Sequence, residues 1–511
     1  MENFAQAVAS LNGAVNSVVW GIPMLVLIIG TGIFMTIRTG FFQISRAKEV
    51  GDKTFFAIFK KKSVRKTNEK KAITQFQALS TALAATIGTG NIAGVATAIS
   101  IGGAGAVFWM WVSAFFGMMT NYSENVLGIF YRRKNTRGEW TGGAMYYLQH
   151  GLKSNKFLSV FAKPLAVLFS IFCVLASFGI GNMTQVNSIA SALHDSFGMN
   201  PLATGIIIAV IVALVIIGGI KRIGQVAEKF VPFMAFAYII GALCILIINI
   251  RSLPSVFLQI FEGAFGFNAV AGGISGTLLK NAITMGFKRG VFSNEAGLGS
   301  SVMVHSASDV KEPVVQGMWG IFEVFFDTII VCTLTAFVVL STGVTDQGLT
   351  GVPLVSAAFS HGFGSFAGKF VALAVLLFAF STVLGWSFYG EKAMEFLFGT
   401  KSTIFYKIIF VCFITVGATM NLSLAWDISD TLNGLMAIPN LIGVLSLSAT
   451  VFAITKNYTK RKIKKTAVDE EPMLSAFEDI QAEQLEKLRD EEREENENAS
   501  GIRESDEETG E

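Results

Sequence analysis

The chain has 511 residues, 52% of them hydrophobic and only 15% charged, with a mean hydropathy of +0.55 and a formal net charge of +3. A water-soluble globular domain carries about 25% charged residues, so that class is excluded, and the 51 Gly and 45 Phe fit an all-α polytopic membrane protein. The near-neutral total hides a split: residues 469–511 hold 18 of the 37 acidic residues and 4 of the 40 basic ones, which leaves a basic body whose charge suits inside-facing loops and not nucleic acid.

A crossing helix needs about 20 mostly apolar residues. Taken in chain order, eleven stretches qualify: 17–37, 75–101, 105–131, 161–190, 202–220, 228–250, 268–300, 314–341, 366–398, 404–421 and 428–455. Residues 352–362 are too short to cross and read as a re-entrant or surface helix. Lys and Arg concentrate in alternate connections. Residues 38–71 hold eleven, 131–163 hold seven, 221–229 hold three and 456–465 hold six. The intervening connection "HDSFGMNP" (194–201) has none. The positive-inside rule therefore predicts an outside N-terminus and a cytoplasmic C-terminus in the plasma membrane. The residues ahead of the first span lack a basic stretch and a small-residue cleavage site, so a cleaved leader is not expected. Beyond residue 466 the chain is acidic and poor in apolar residues, and is expected to be a solvated, partly helical or disordered tail.

Cys173, Cys244, Cys332 and Cys412 fall in apolar runs without metal-ligand spacing, and read as free thiols. His150, His194, His305 and His361 are scattered. With no nucleophile–base pair and no Cys/His cluster, an enzyme is not expected, nor is a cofactor.

The second span contains "TALAATIGTGNIAG" (81–94). Glycine inside a helix costs roughly 1 kcal/mol relative to alanine, and irregular backbone at membrane depth survives only around protein or a water-filled cavity. A broken helix exposes N–H groups that suit a carboxylate and carbonyls that suit a cation. The stretch 268–300 is the other glycine-interrupted polar span. With the first span set aside, these two are the first and sixth of ten. That spacing predicts a 5+5 inverted repeat with one extra N-terminal helix. The corresponding divisions are 1–74 (extra helix and basic loop), 75–455 (core, with halves 75–250 and 268–455) and 456–511 (tail). Close helix packing is the competing explanation for the glycines.

Three stretches, "ATIGTGNIAGVATAISIGGAGAVFWMW", "GEWTGGAMYYL" and "GFKRGVFSNEAGLGSS", resemble the alanine or glycine:cation symporter family, the sodium:alanine symporters. The resemblance runs to about residue 455. It implies a leucine-transporter-type core, and "IGTGN" is similar to the V-G-L-G-N of sodium-coupled amino-acid transporters. The implied function is symport of small neutral amino acids (alanine or glycine, with glutamine a further possibility) driven by Na⁺, or by H⁺ in the alternative. A transporter-like receptor signalling through the tail is a third reading.

On that resemblance the amides of Gly88, Thr89 and Gly90, with Asn91, take the substrate carboxylate. Phe178, Asn182 and Gln185 lie at i, i+4 and i+7 and offer neutral polar groups, although Asn182 and Gln185 equally suit interhelical bonding. Thr284, Met285, Gly286 and Phe287 are candidates on the sixth core helix, whose break falls at "TMGF" (284–287), favoured by Lys288 and Arg289, or at "SNEAG" (293–297). Ser381 and Thr382 match the sodium-site pattern, with carbonyls from Ala84, Ile87 and Phe378; bonding back to their own helix is the alternative. Trp386, one turn on, walls the pocket or sits at the lipid interface. Glu124, Glu323 and Asp327 are acids within apolar spans, where ionised groups are costly. Glu323 and Asp327 are expected to gate, to hold their helix against the core or, in the H⁺-driven alternative, to carry protons.

Overall fold

The apolar stretches become helices almost throughout the computed structural model, which describes residues 2–67, 69–265, 275–420, 423–490 and 493. Among them, seven helices are long and apolar enough to cross a bilayer: Ala9–Arg38, Ser159–Phe197, Gly219–Ile248, Pro313–Ser341, Gly351–Phe398, Ser402–Thr419 and Trp426–Ser446. Four further expected spans are helical but broken, short or polar. Gln75–Thr86 and Gly90–Gly102 form a pair bent by 50°, and Pro201–Ile216 has only 16 residues. Gly105–Phe130 is long enough, but carries "NYSEN" at 121–125, buried inside the protein. Ser275–Asn294 carries Lys280, Lys288 and Arg289. The first part of the expected 268–300 span, residues 268–274, lies outside the described residues.

The helices used below are α1 (Ile22–Arg38), α2 (Gln75–Thr86), α3 (Gly90–Gly102), α4 (Gly105–Phe130), α5 (Ser159–Phe197), α6 (Pro201–Ile216), α7 (Gly219–Ile248), α8 (Ser275–Asn294), α9 (Val302–His305), α10 (Pro313–Ser341), α11 (Gly351–Phe363), α12 (Ala367–Phe398) and α13 (Ser402–Thr419). Two groups pack internally. One contains α3, α4, α8, α9 and α10; the other contains α5, α6, α12 and α13. The segment α2 lies between them, against α7 and α12. Close approach is built with glycine. A Cβ at Gly286 would meet Ala106 O of α4 at 2.5 Å, and one at Gly385 would meet the Ala85 Cβ at 2.6 Å. α1 packs outside α4, where Gly32 faces Phe116 O.

Both interruptions have local causes. Thr74 and Gln77 form a capping box that starts α2. α2 ends at Ile87, whose ψ of 84° leaves the helix. The second break lies after Asn294, not at 284–287 as the basic pair Lys288–Arg289 suggested. α8 runs unbroken through Thr284–Phe287 because that stretch packs on α4 and keeps its backbone bonds. The chain then leaves the helix at Glu295 (φ 57°), Gly297 (φ 92°) and Gly299 (φ 71°) before α9. Glycine adopts such positive φ without steric cost.

The tail is partly helical, as expected, but its described part is not solvated throughout. Residues 478–490 are helical, and Leu474 and Ile480 are buried. Its apolar residues find a surface on the loop 130–150, a contact that composition does not register.

Candidate functional site

The two breaks face each other. Ala85, Thr86, Gly88 and Gly90 from the first, Phe292 and Glu295 from the second, Ile180 and Gln185 from α5, and Thr382 and Trp386 from α12 line one buried pocket. Its free space is about 10 Å³, room for one water, so the pocket is contracted. The Thr89 amide donates to Gln185 Oε1 at 3.4 Å, while the Thr89 hydroxyl is buried without a partner. An unpaired buried hydroxyl costs about 1–3 kcal/mol, which a polar ligand group would relieve. Thr89 itself lines a larger cavity, and lies in the chain between the pocket residues Gly88 and Gly90. The Gly88 amide is already taken by Asn91 Oδ1 at 3.0 Å.

Beside this pocket, oxygen atoms converge on the end of α2. Thr382 Oγ1 donates to Ala84 O at 3.2 Å and to Phe378 O at 3.1 Å. Ser381 Oγ donates to Phe378 O at 2.8 Å and lies 3.5 Å from Met234 Sδ. Ile87, fully buried, turns out of the helix at this point. A Cβ on Gly88 would stand 2.4 Å from Thr382 Oγ1, so only glycine lets the two chains meet here. The set is hydroxyl and carbonyl oxygen, the hard donors that suit Na⁺.

Gln185 reaches the pocket, but Phe178 and Asn182 do not. The chain makes a π-helical turn at Gly179–Met183, and one extra residue rotates the remainder of α5 by about 100°. Phe178 therefore packs on Tyr406 (5.3 Å) and Phe413 (5.1 Å) of α13, and Asn182 Nδ2 donates to Phe410 O at 2.7 Å. Thr284, Met285, Gly286 and Phe287 also lie off the pocket, two turns or more before the break. Gly286 touches α4 and Phe287 packs on Trp109 at 5.7 Å. Their places are taken by Phe292 and Glu295. The signal for Glu295 was present in "SNEAG" (293–297), a polar triplet ahead of glycines, and Phe292 lies just before it.

Among the described residues, each buried acid around the breaks has at least one partner, although Glu323 Oε1 has none. Asp327 Oδ1 accepts from Asn91 Nδ2 at 2.7 Å, and its Oδ2 accepts from Ser293 Oγ and Thr328 Oγ1, both at 2.8 Å. It thus joins both breaks to α10. Glu323 Oε2 lies 2.8 Å from His305 Nε2, tying α9 to α10, and Gln316 bonds the other ring nitrogen. Glu124 accepts from Asn440, which also donates to Gly297 O at 2.9 Å in the second break. Glu295 accepts from Ser300 across the turn it makes.

A second cavity of about 660 Å³ lies above the pocket, lined by Thr89, Asp195, Arg289, Phe292, Asp427 and Asp430 among others. Asp430 pairs with Lys288 at 2.8 Å and approaches Arg289 at 3.8 Å. Phe292 borders both spaces and stacks on Trp426 with ring centroids 6.2 Å apart. Among the described residues, Phe292 is the one that lines both this vestibule and the pocket.

The sequence pattern of the sodium:alanine symporter family matches residues 5–472. The chain belongs to this family. It is 49% identical over 457 residues to the sodium/alanine symporter AgcS of Methanococcus maripaludis, covering 88% of this chain and 97% of that one. It is 36% identical over 459 residues to the probable sodium/glutamine symporter GlnT of Bacillus subtilis, with 89% and 92% coverage. To the putative sodium/proton-dependent alanine carrier YrbD of the same organism it is 35% identical over 476 residues, with 90% and 93% coverage. A member of the sodium:alanine symporter family is an amino-acid symporter and not an enzyme, and its apolar helices make it a multi-pass membrane protein.

Proposed function

We propose that this symporter couples Na⁺ entry to uptake of small neutral amino acids, alanine and glycine first and glutamine next, by alternating access. The observation that carries the reading is the meeting of Thr382 Oγ1 with the Ala84 and Phe378 carbonyls at the end of α2, beside Gly88. Ala84, Ile87, Phe378, Ser381 and Thr382 would hold the ion through oxygen. The substrate carboxylate would take the Thr89 and Gly90 amides and the unpaired Thr89 hydroxyl. Gln185 Oε1 and the Glu295 carboxylate are acceptors for its ammonium group. Phe292, Ile180 and Trp386 close round a short side chain. Trp386 is pressed on Gly181, where a Cβ would stand 2.4 Å away, so it has little room to retreat from a larger one.

The architecture in this reading is eleven spans, a 5+5 inverted repeat after α1, an outside N-terminus and a cytoplasmic C-terminus. The vestibule then opens outward. The basic loops, the start of α2 at Thr74 and the end of α9 at His305 lie inward. The same fold driven by H⁺ has one observation in its favour: Asp327 is a buried carboxylate bonded through Asn91 to the Gly88 amide. Reconstituted protein, given alanine, glycine and glutamine with and without an inward Na⁺ gradient, tests the proposal. Uptake of at least one of them that collapses without Na⁺ supports it. Uptake that persists under a pH gradient alone transfers the coupling to H⁺.

A further inference from the structure

The family pattern ends at residue 472, yet the chain continues into a segment that is packed against the body. Leu474 and Ile480 are 1% and 6% exposed. Ile480 forms a small apolar cluster with Ala72 and Trp140, and Phe477 lies against it. Phe477 is held from two sides. The Arg133 guanidinium sits 3.8 Å from its ring centroid, and the His150 ring meets it edge-on at 5.3 Å. The Ala476 amide donates to Phe130 O at 2.9 Å. Glu483 pairs with Lys134 at 2.6 Å, and Lys487 pairs with Glu69 at 3.5 Å.

The segment grips the entrance to the first broken helix. Glu69 and Ala72 shortly precede Thr74, the residue that caps α2. Trp140 Nε1 donates to Glu69 Oε1 at 3.0 Å. Ile73 is bridged to Ser308, through the Ile73 amide on Ala307 O (3.1 Å) and the Asp309 amide on Ile73 O (2.8 Å). Arg132, one residue before the cation over Phe477, donates to Ser308 O at 2.7 Å. The loop entering the first broken helix, the loop leaving the second, and the 130–150 loop are thus joined at one place. Residues 474–487 lie across that junction.

We propose that residues 474–487 are a releasable strap that keeps the start of α2 closed on the segment after α9, on the side of the Lys- and Arg-rich loops, and so restrains the transport cycle. The proposal rests on the symporter reading, in which α2 must swing away from α9 on that side to release substrate. The strap has the modest strength such a device needs. Its two ion pairs are about one-third exposed at Lys134, Glu483 and Lys487, and pairs of that kind contribute little each. The grip comes from the Phe477 ring, held between Arg133 and His150, and from the buried side chains of Leu474 and Ile480. Release exposes few apolar groups and breaks no covalent or metal bond. A segment of this kind is an order–disorder switch in form, with the folded state selected by local contacts.

The test uses the full chain in proteoliposomes, with Phe477→Ala and, separately, Glu483→Lys. Amide hydrogen exchange at residues 69–86 reads the latch, and initial alanine uptake reads the cycle. Phe477→Ala is expected to speed exchange at 69–86 by roughly tenfold and Glu483→Lys by about two- to threefold, as local opening becomes easier. Uptake is expected to rise by about two- to fivefold at unchanged KM, through a population shift. Phe477→Tyr keeps the ring and is expected to match the parent protein. Exchange that does not rise in either variant overturns the proposal. So does faster exchange with uptake unchanged or lower, or a Phe477→Tyr variant that behaves like Phe477→Ala. If the parent protein takes up no amino acid, the symport reading fails instead, and this is distinguishable because the exchange comparison needs no substrate.

Discussion

Asn91 is bonded at both ends of its amide: Nδ2 donates to Asp327 Oδ1 at 2.7 Å, and Oδ1 accepts the Gly88 amide at 3.0 Å. A carboxylate on α10 therefore sets the orientation of the Asn91 side chain, and Asn91 sets the backbone of the first break. Asp327→Asn keeps the shape but places an NH₂ among donors. At least one of Asn91, Ser293 and Thr328 then loses its acceptor, at about 1–3 kcal/mol. Amino-acid uptake is expected to fall at least tenfold, whichever cation drives it. Uptake by the purified variant, normalised to folded protein, checks this; a parental rate would remove Asp327 from coupling.

Thr382→Ala removes one oxygen from the set at the end of α2 while leaving the helix intact. The Na⁺ concentration for half-maximal uptake is expected to rise about tenfold, equivalent to about 1.4 kcal/mol. Thr382→Ser is expected to retain most of the response. Uptake titrated against Na⁺ at fixed alanine measures both. An unchanged Na⁺ dependence in the alanine variant would move the ion elsewhere.

Gly88→Ala tests the close approach of the first break to α12. Its Cβ would stand 2.4 Å from Thr382 Oγ1, closer than real contacts allow. Either the hydroxyl or the break must shift. Uptake is expected to be lost, while elution as a monodisperse species is retained because the rest of the packing is untouched. Gly40→Ala has no atom within 4 Å of the added carbon, but carries a φ of +69°, so it controls for backbone strain without a clash.

The strap is expected to be weaker in acid. Burial, with repulsion from Arg133 and Lys153, pushes His150 down to about 4 from an ordinary value of about 6.5. Phe477 covers it, so the docked state holds His150 neutral. Release uncovers His150 and raises its pKa from about 4 towards, at most, the ordinary 6.5, so below pH 6.5 the released state binds more protons and docking weakens as pH falls. Burial alone would raise Glu483, but Lys134 and Lys487 outweigh it and hold it below the usual carboxylate range. Its contribution is present above that range and lost in acid, so the two signs agree. Protection of amides 69–86 should be flat above pH 7 and decline from pH 6.5 towards 4, after correction for intrinsic exchange. A rise in protection over that interval would contradict the assignment.

Hydropathy, loop charge and glycine placement were sufficient to determine the membrane class, the positions of the apolar helices and the first break at "IGTGN". Each depends on neighbours along the chain: a run of apolar residues, a cluster of Lys and Arg, or a cap such as Thr74–Gln77 before α2. The motifs also carried the family, which the match over residues 5–472 bears out. The second break was ambiguous because both "TMGF" and "SNEAG" are locally plausible. Packing of Gly286 on α4 decided it, by keeping the first helical and leaving the second to open. The π-turn at Gly179–Met183 likewise sent Gln185 to the pocket and Phe178 to α13, a rotation that no spacing rule in a regular helix contains. The docking of Phe477 between Arg133 and His150 joins residues more than 300 positions apart. Local sequence limits what a segment can become; which surfaces it meets is settled only when all of them compete for the same contacts.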